Sequence, residues 1–122
     1  MGIFITFAKI ILRIMISIII QDADLEELAT TGRNHKYKVY ARNKRFMDGL
    51  SRVLFTIRNA ESTASLGNYS FLHYEKLRNL SEPLSSVRVV NGMPERLLFR
   101  EDGNAIEITI IELSTDHYGN KK

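Results

Sequence analysis

The spacing of apolar residues predicts an amphipathic helix near the middle of the chain. Between residues 35 and 59, apolar positions recur at i, i+4, i+7, i+8 and i+11, which is the spacing of one face of an α-helix. These positions are Phe46, Leu50, Val53, Leu54 and Ile57. Basic residues occupy most of the other faces, so we expect a helix with one buried side and one basic side.

An apolar run, MISIII at residues 15–20, predicts a β-strand ahead of this helix. The strand leads into a first helix capped by Asp22 or Asp24, and Asp24 followed three residues later by Glu27 resembles a capping box. Gly32 is placed to end that first helix.

Two turn dipeptides predict an antiparallel meander in the second half of the chain. Asn-Gly at residues 91–92 and Asp-Gly at residues 102–103 are strong hairpin signals. They join three strand segments, which are residues 86–90, 95–100 and 105–113.

The loop lengths of these hairpins set which side chains share a face. A two-residue loop at residues 102–103 places Phe99 opposite Ile106 and Leu97 opposite Ile108, which gives one apolar face. The same alternation assigns the opposite face to Arg96, Arg100, Glu107 and Thr109.

For the first hairpin, we favour a three-residue loop at residues 91–93. This loop turns Val87 and Val89 inward and Arg88 outward beside Arg96, whereas a two-residue loop would bury Arg88 at a high desolvation cost. The predicted fold class is therefore α+β, with two N-terminal helices packed on one face of a small, mainly antiparallel sheet and arginines on the other face.

Composition limits the chemistry that the chain can perform. The 122 residues correspond to one domain, and the 0 Cys exclude disulfides, zinc fingers, iron–sulfur clusters and thiol nucleophiles. This cysteine usage fits a reducing cytosol, so we predict a cytoplasmic protein. The histidines at 35, 73 and 117 have no metal-ligand spacing, and we predict no metal and no cofactor.

Charge is distributed unevenly along the chain. The formal net charge is +3, but the segment 31–60 has Asp48 as its one acidic residue. Its basic residues are Arg33, Lys36, Lys38, Arg42, Lys44, Arg45, Arg52 and Arg58. Such a block attracts polyanions through counterion release, although a solvated helix face would have the same composition.

The apolar first 14 residues allow three interpretations. We favour an extension upstream of a start at Met15, which leaves residues 15–122 as the folded domain. Thr6, Lys9, Arg13 and Ser17 would lie on one stripe of a helix, so an amphipathic helix at a membrane surface is a second interpretation. A transmembrane or signal segment is the third, and Lys9 and Arg13 argue against it.

Two groups of residues are candidates for chemistry. Arg88 and Arg96, opposite each other on an open face, repel unless an anion lies between them, so they could clamp a phosphate. Alternatively, Arg88 pairs with Glu107 or a neighbouring Glu and has no further role. His117, between Asp116 and Tyr118 after the last strand, could transfer a proton. The aromatics Tyr69, Phe71 and Tyr74 either complete the core or stack on bases.

Several segments resemble HigB-type toxins of the RelE/ParE superfamily. The order of LRN at residues 77–79, SVRVVNG at 86–92, Arg96 and the terminal DHY at 116–118 follows that family's Leu-Lys-Gly segment, V-N-G hairpin, arginine and Asp-Tyr-His ending. Residues 70–119 carry most of the resemblance, and residues 15–32 resemble the family's opening strand and helix.

The resemblance implies a RelE-like microbial ribonuclease fold and a toxin that cleaves mRNA on the ribosome without metal. The RNA 2′-OH attacks the adjacent phosphorus, Arg96 and Arg88 neutralise the phosphorane, and Arg78 or Lys76 contributes. His117 protonates the leaving 5′ oxygen, and Asp116 or Tyr118 orients the substrate. The further RNA-binding residues are Arg100, Lys44 and Arg45.

The partners that the resemblance implies are the ribosome with its mRNA and an antitoxin. The antitoxin has a helix-turn-helix DNA-binding domain, so operator DNA is bound only through the toxin–antitoxin complex. Two other functions stay open. One is a gyrase inhibitor of the same fold, for which His117 is dispensable; the other is a non-toxic module that binds nucleic acid or an acidic membrane surface.

Overall fold

A computed structural model describes residues 16–78, 80–101 and 106–115, which form a mixed α+β structure around a mainly antiparallel sheet. The strands are β1 (Ser17–Ile20), β2 (Glu75–Lys76), β3 (Ser85–Arg88), β4 (Arg96–Glu101) and β5 (Glu107–Ser114). The α-helices are α1 (Ala23–Thr31), α2 (Lys38–Ala41) and α3 (Lys44–Arg58), and short 3-10 helices span Thr63–Asn68 and Ser70–Leu72.

The first strand lies at an edge of the sheet and runs parallel to the last one. The strand order is β1-β5-β4-β3-β2, and Ile18 pairs with Ile108 while Ile20 pairs with Ile110. The strand predicted at residues 15–20 is confirmed over its last four residues. The parallel pairing joins the two ends of the described chain, and the local pattern of β1 carries no information about it.

Asp22 caps the first helix. Its Oδ1 accepts hydrogen bonds from two backbone N–H groups of the first turn, at 2.9 and 3.1 Å. The predicted capping box is wrong, because Asp24 and Glu27 instead accept hydrogen bonds from Nδ2 of the buried Asn34, at 3.0 and 2.7 Å. Gly32 ends the helix in the left-handed conformation with φ 76°, as predicted.

The predicted middle helix is confirmed from Lys44 onward but not over its first residues. Asn43 begins α3, with its side-chain oxygen accepting from the backbone N–H of Phe46 at 3.0 Å. The residues before it form the separate one-turn helix α2. The predicted apolar face of α3 packs into the core, with Leu54 half-buried and four residues fully buried, namely Phe46, Leu50, Val53 and Ile57.

A glycine allows α3 to approach the end of β3 closely. A Cβ added at Gly49 would lie 2.7 Å from the carbonyl oxygen of Val89 and 2.7 Å from Cγ2 of Val90. Because the first of these atoms belongs to the backbone, it cannot move aside cheaply. Any larger residue at this position forces the helix away from the sheet.

We therefore expect Gly49→Ala to lower the free energy of unfolding by about 1–3 kcal/mol, even though alanine favours the helix by about 1 kcal/mol. Urea denaturation followed by circular dichroism measures the change. The matched control is Gly67→Ala, where the added Cβ meets nothing nearer than Cδ2 of Tyr74 at 3.9 Å. Equal stability of the two variants would contradict the close approach.

The first hairpin has the predicted register. Arg88 pairs with Arg96 and Val87 with Leu97, as the three-residue loop requires. Val87 and Val89 are buried and Arg88 is not, so the loop avoids burying a guanidinium in the core.

The predicted register of the second hairpin is wrong. Phe99 pairs with Ile110 and Leu97 with Leu113, while Ile106 is 38% exposed. β4 ends at Glu101, which pairs with Ile108, so the observed pairing is offset from the one that a two-residue Asp-Gly loop requires. Ile108 is buried, as predicted.

A β-bulge corrects the alternation near the end of β5. The register shifts between Leu98 and Phe99, whose partners are Glu112 and Ile110, so Ile111 is the extra residue. Strict alternation from Ile110 would turn Glu112 toward the core, whereas the bulge leaves Glu112 exposed and buries Leu113. The desolvation cost of a buried carboxylate accounts for this arrangement.

The interpretations of residues 1–14 lie outside the described residues. Among the helices that the structure describes, none combines the length and the apolarity needed to cross a membrane.

Candidate functional site

Three arginines lie on the sheet face opposite the core. Arg96 and Arg100 alternate along β4 with Leu97 and Phe99, both of which are completely buried. Arg88 shares the face of Arg96, its cross-strand partner. The predicted separation of helices and arginines onto opposite faces is thus present, and we call this side of the sheet the arginine face.

The loop before β2 holds Arg96 in place. Its Nη1 donates hydrogen bonds to Oγ of Ser86 at 3.1 Å and to the carbonyl oxygen of His73 at 3.2 Å. Ser86 is completely buried on β3, so one of these contacts is rigid. Arg96 is thereby oriented by β3 and by a loop that precedes β2.

His73 has an unusual backbone conformation. Its φ of 49° and ψ of 47° lie in the left-handed region, and no other non-glycine residue in the described ranges has a positive φ. This conformation costs roughly 1 kcal/mol or more for a residue with a Cβ, so the surrounding structure must impose it. The sequence pointed to His73 only as an isolated histidine, because neither its backbone strain nor its contact with Arg96 leaves a local pattern.

Arg88 has no carboxylate partner among the described residues. Its Nη1 donates to the carbonyl oxygen of Met93 at 2.8 Å, and its buried Nε has no hydrogen-bond partner there. The alternative to a phosphate clamp was an ion pair with Glu107 or a neighbouring Glu, and Arg88 forms no such pair with a described side chain. The guanidinium is therefore tied to its own hairpin and keeps its positive charge uncompensated by an ion pair.

Arg100 is arranged differently. Its Nη1 lies 3.4 Å from Oε1 of Glu82, and the two side chains are 43% and 48% exposed. An ion pair of this kind contributes little to stability and is easily exchanged for another anion.

Lys76 and Arg78, the other basic residues predicted to contribute to the site, are positioned differently from the three arginines. Lys76 pairs with Ser85, so it belongs to the opposite side of the sheet, and Glu75 is the residue of β2 that shares the side of Ser86. Arg78 follows β2 and is exposed. Spacing along the chain could not indicate these placements, because β2 is only two residues long.

Glu101 is the centre of a polar cluster at the edge of the sheet. Its Oε2 accepts hydrogen bonds from the hydroxyl groups of Tyr74 and Ser85, the latter at 2.6 Å. Burial raises the pKa of Glu101, but hydrogen bonds from Ser85, Tyr74 and Thr63 outweigh it and leave the pKa below 4.5. A depressed folded-state pKa stabilises the fold above the unfolded-state value, and that stabilisation is lost as the pH falls through the folded value.

The same contacts affect Tyr74. Burial and the hydrogen bond to Glu101 raise the pKa of Tyr74 to about 12, so its hydroxyl stays protonated and keeps donating. The rings of Tyr69, Phe71 and Tyr74 all pack against the core, which confirms the core interpretation of the three aromatics.

The start of the basic helix meets the turn of the first hairpin. Nη2 of Arg45 donates to the carbonyl oxygen of Asn91 at 3.2 Å, and Nζ of Lys44 lies 2.9 Å from Oδ2 of Asp48. Arg88 and Arg96 are the last strand pair before that same turn. Arg45 and the Arg88–Arg96 pair therefore lie near the same end of the sheet, with α3 on the face opposite the arginines.

A pocket of about 530 Å³ lies at the carboxyl ends of β1 and β5, away from the arginines. Burial and the hydrogen bond to Asp22 raise the pKa of Tyr37 in its wall to about 12. Its lining residues are Gln21, Asp22, Lys36, Tyr37, Ile111, Glu112, Leu113 and Thr115. Neither Arg88 nor Arg96 lines this pocket.

The predicted proton-transfer residues Asp116, His117 and Tyr118 lie outside the described residues. The strand that precedes them is informative, because Ser114 pairs with Arg96. The last residue of β5 therefore lies beside Arg96, the first residue of β4.

Within the described ranges, no three His, Asp or Glu side chains come close enough together to hold a metal ion. No protein-family model matches the chain, and a search of curated proteins returned no significant match. Three features of the described residues bear on function. They are the arginine face, the contact of Arg96 with the His73 loop, and the basic helix α3 beside the first hairpin.

Proposed function

We propose that the protein is the toxin of a type II toxin–antitoxin system and cleaves mRNA on the ribosome as a metal-independent endoribonuclease. The observation that carries the proposal is the Arg88–Arg96 pair, two arginines that are cross-strand partners on the sheet face opposite the core. The resemblance of the sequence to HigB-type toxins supplies the reaction, and the arginine face supplies groups suited to it.

Cleavage through the RNA 2′-OH concentrates negative charge on one phosphorus. The 2′ oxygen loses its proton to water and attacks the adjacent phosphorus, which forms a phosphorane with extra negative charge on its oxygens. The bond from phosphorus to the 5′ oxygen then breaks, which leaves a 2′,3′-cyclic phosphate and a 5′ oxygen that must take up a proton. Guanidinium groups that are already oriented stabilise this charge without reorganisation. Arg96, held by Ser86 and His73, has the more fixed position, and Arg88 adds a second positive charge beside it.

Proton transfer needs a second kind of group. In this proposal His117 protonates the leaving 5′ oxygen and Asp116 or Tyr118 orients the substrate, as the family resemblance implies. We add His73 as a second candidate to be tested, because its backbone carbonyl oxygen accepts a hydrogen bond from Arg96. Histidine titrates near neutral pH and can act as acid or base.

The arrangement of elements supports a RelE-like fold. Helices cover one face of the sheet, the opposite face carries the arginines, and β1 runs parallel to β5 beside an antiparallel β5-β4-β3 meander. We propose further that the toxin acts in the cytoplasm, binds the ribosome and its mRNA, and is inhibited by an antitoxin with a helix-turn-helix domain. Operator DNA is then bound through that antitoxin.

The direct test adds purified protein to a reconstituted translation reaction and maps mRNA ends by primer extension. Wild-type protein is expected to cut within ribosome-engaged codons, and His117→Ala is expected to lower the cleavage rate roughly 100- to 10,000-fold if its imidazole transfers the proton. His73→Ala is measured in parallel. A large loss in His73→Ala alone would transfer the proton-donor role to His73.

Two results would reject the proposal. Absence of cuts with properly folded wild-type protein would exclude a ribosome-dependent nuclease, and a DNA gyrase supercoiling assay would then test the gyrase-inhibitor alternative. Cuts that require added divalent metal would exclude the metal-independent reaction.

A further inference from the structure

A second pocket lies where the basic helix packs against the first hairpin. It has a volume of about 380 Å³ and is lined by Arg45, Asp48, Gly49, Arg52, Val90 and Asn91. It is separate from the Arg88–Arg96 pair, which does not line it. The sequence analysis predicted that Arg45 binds RNA, but it did not predict a binding role for Arg52 or Asn91.

The two arginines of this pocket are held in position by different contacts. Arg45 and Arg52 are seven residues apart, which is two turns, so they extend from the same side of α3. Arg45 is hydrogen-bonded to the carbonyl oxygen of Asn91, and the guanidinium of Arg52 lies 5.1 Å from the centre of the Phe71 ring. Both anchors reduce the entropy that the side chains would lose on binding a ligand.

Two of the residues that line the pocket are basic, Arg45 and Arg52, and one is acidic, Asp48. Asp48, the carboxylate in its wall, is hydrogen-bonded to Nζ of Lys44 at 2.9 Å. No ion pair joins Arg45 or Arg52 to a carboxylate in the part of the chain that the structure describes. Two anchored guanidinium groups around one cavity are stabilised by an anion, and their planar donors match phosphate oxygens.

Gly49 lies in the pocket wall together with the two arginines. A Cβ added there would lie 2.7 Å from the carbonyl oxygen of Val89 and 2.7 Å from Cγ2 of Val90. The helix and the hairpin are therefore closely packed beside the pocket.

We infer that this pocket binds a phosphate group through Arg45 and Arg52. The identity of the carrier as an RNA backbone rests on the proposed function, but the phosphate-binding chemistry does not. The pocket positions a second point of the RNA strand, apart from the scissile phosphate at the arginine face.

The test measures binding to a single-stranded RNA oligonucleotide and to inorganic phosphate, without ribosomes, by fluorescence anisotropy and by NMR of the arginine side chains. Arg45→Gln and Arg52→Gln are each expected to reduce the slope of log affinity against log salt concentration for the RNA by about 0.7, the value for one lost phosphate contact on a single strand. Arg33→Gln removes the same charge outside the pocket and serves as the control. Inorganic phosphate is expected to shift the Arg45 and Arg52 side-chain signals.

The outcomes separate this inference from the proposed function. Unchanged salt slopes in both pocket variants, or losses no larger than in Arg33→Gln, would overturn the phosphate pocket even if the protein cleaves mRNA. If inorganic phosphate shifts the Arg45 and Arg52 side-chain signals but the protein does not cleave mRNA, the phosphate-binding pocket is supported. RNA as the molecule that carries the bound phosphate is then not supported. Arg52→Lys keeps the charge, so weaker binding in this variant would support recognition by the planar guanidinium.

Discussion

Replacing Arg96 with alanine is expected to lower the rate of mRNA cleavage about 100- to 1,000-fold, the range observed when one preorganised donor to a developing charge is removed. Arg96 donates hydrogen bonds to Ser86 Oγ and to the His73 carbonyl oxygen, so its guanidinium is already oriented before the substrate binds. Primer extension in the reconstituted translation reaction measures the rate.

Stability has to be measured beside activity in this variant. Loss of the two hydrogen bonds is expected to cost about 1–3 kcal/mol of folding free energy, which thermal unfolding will report. Arg96→Lys keeps the charge but not the planar donors, and is expected to have intermediate activity. Full cleavage by folded Arg96→Ala would exclude a phosphate clamp at the arginine face.

Reversing the charges at Lys44 and Arg45 to glutamate is expected to weaken ribosome binding roughly tenfold or more. The loss of two phosphate contacts should also reduce the salt dependence of binding by about 1.5 in the log–log slope. Co-sedimentation with ribosomes at several salt concentrations measures both quantities. Because these residues begin α3, glutamates there interact favourably with the helix dipole, so the helix is expected to persist.

The control for this prediction is the double reversal Lys36→Glu with Lys38→Glu, which changes net charge equally but lies outside α3. A specific role for the helix requires a larger loss in the α3 variant. Equal losses in both variants would mean that ribosome binding responds to net charge alone.

Local patterns were sufficient for the parts of the fold that depend on one segment at a time. The apolar face of α3, from Phe46 to Ile57, follows from a spacing that one helix must bury. The loop of the first hairpin followed from the cost of burying Arg88, and the pairing of Arg88 with Arg96 confirms it. These predictions succeeded because a single energetic term decided each of them.

Predictions failed where several segments compete for the same residues. The Asp-Gly dipeptide predicts a tight turn that pairs Phe99 with Ile106, but in the structure Phe99 pairs with Ile110, which also pairs with Ile20 of β1. Turn propensities are worth too little to outweigh such contacts.

The sequence by itself determined the chemical inventory: arginines in place of metal ligands, no thiol, a basic helix, and Arg88 beside Arg96 on one face. Only the tertiary structure decided what surrounds them. In the structure the carbonyl oxygen of His73 accepts a hydrogen bond from Arg96, and Lys76 lies on the same side of the sheet as Glu101. Arg45 and Arg52 line one pocket. Periodicity reports which way a side chain faces, whereas the identity of its neighbours depends on contacts between distant segments.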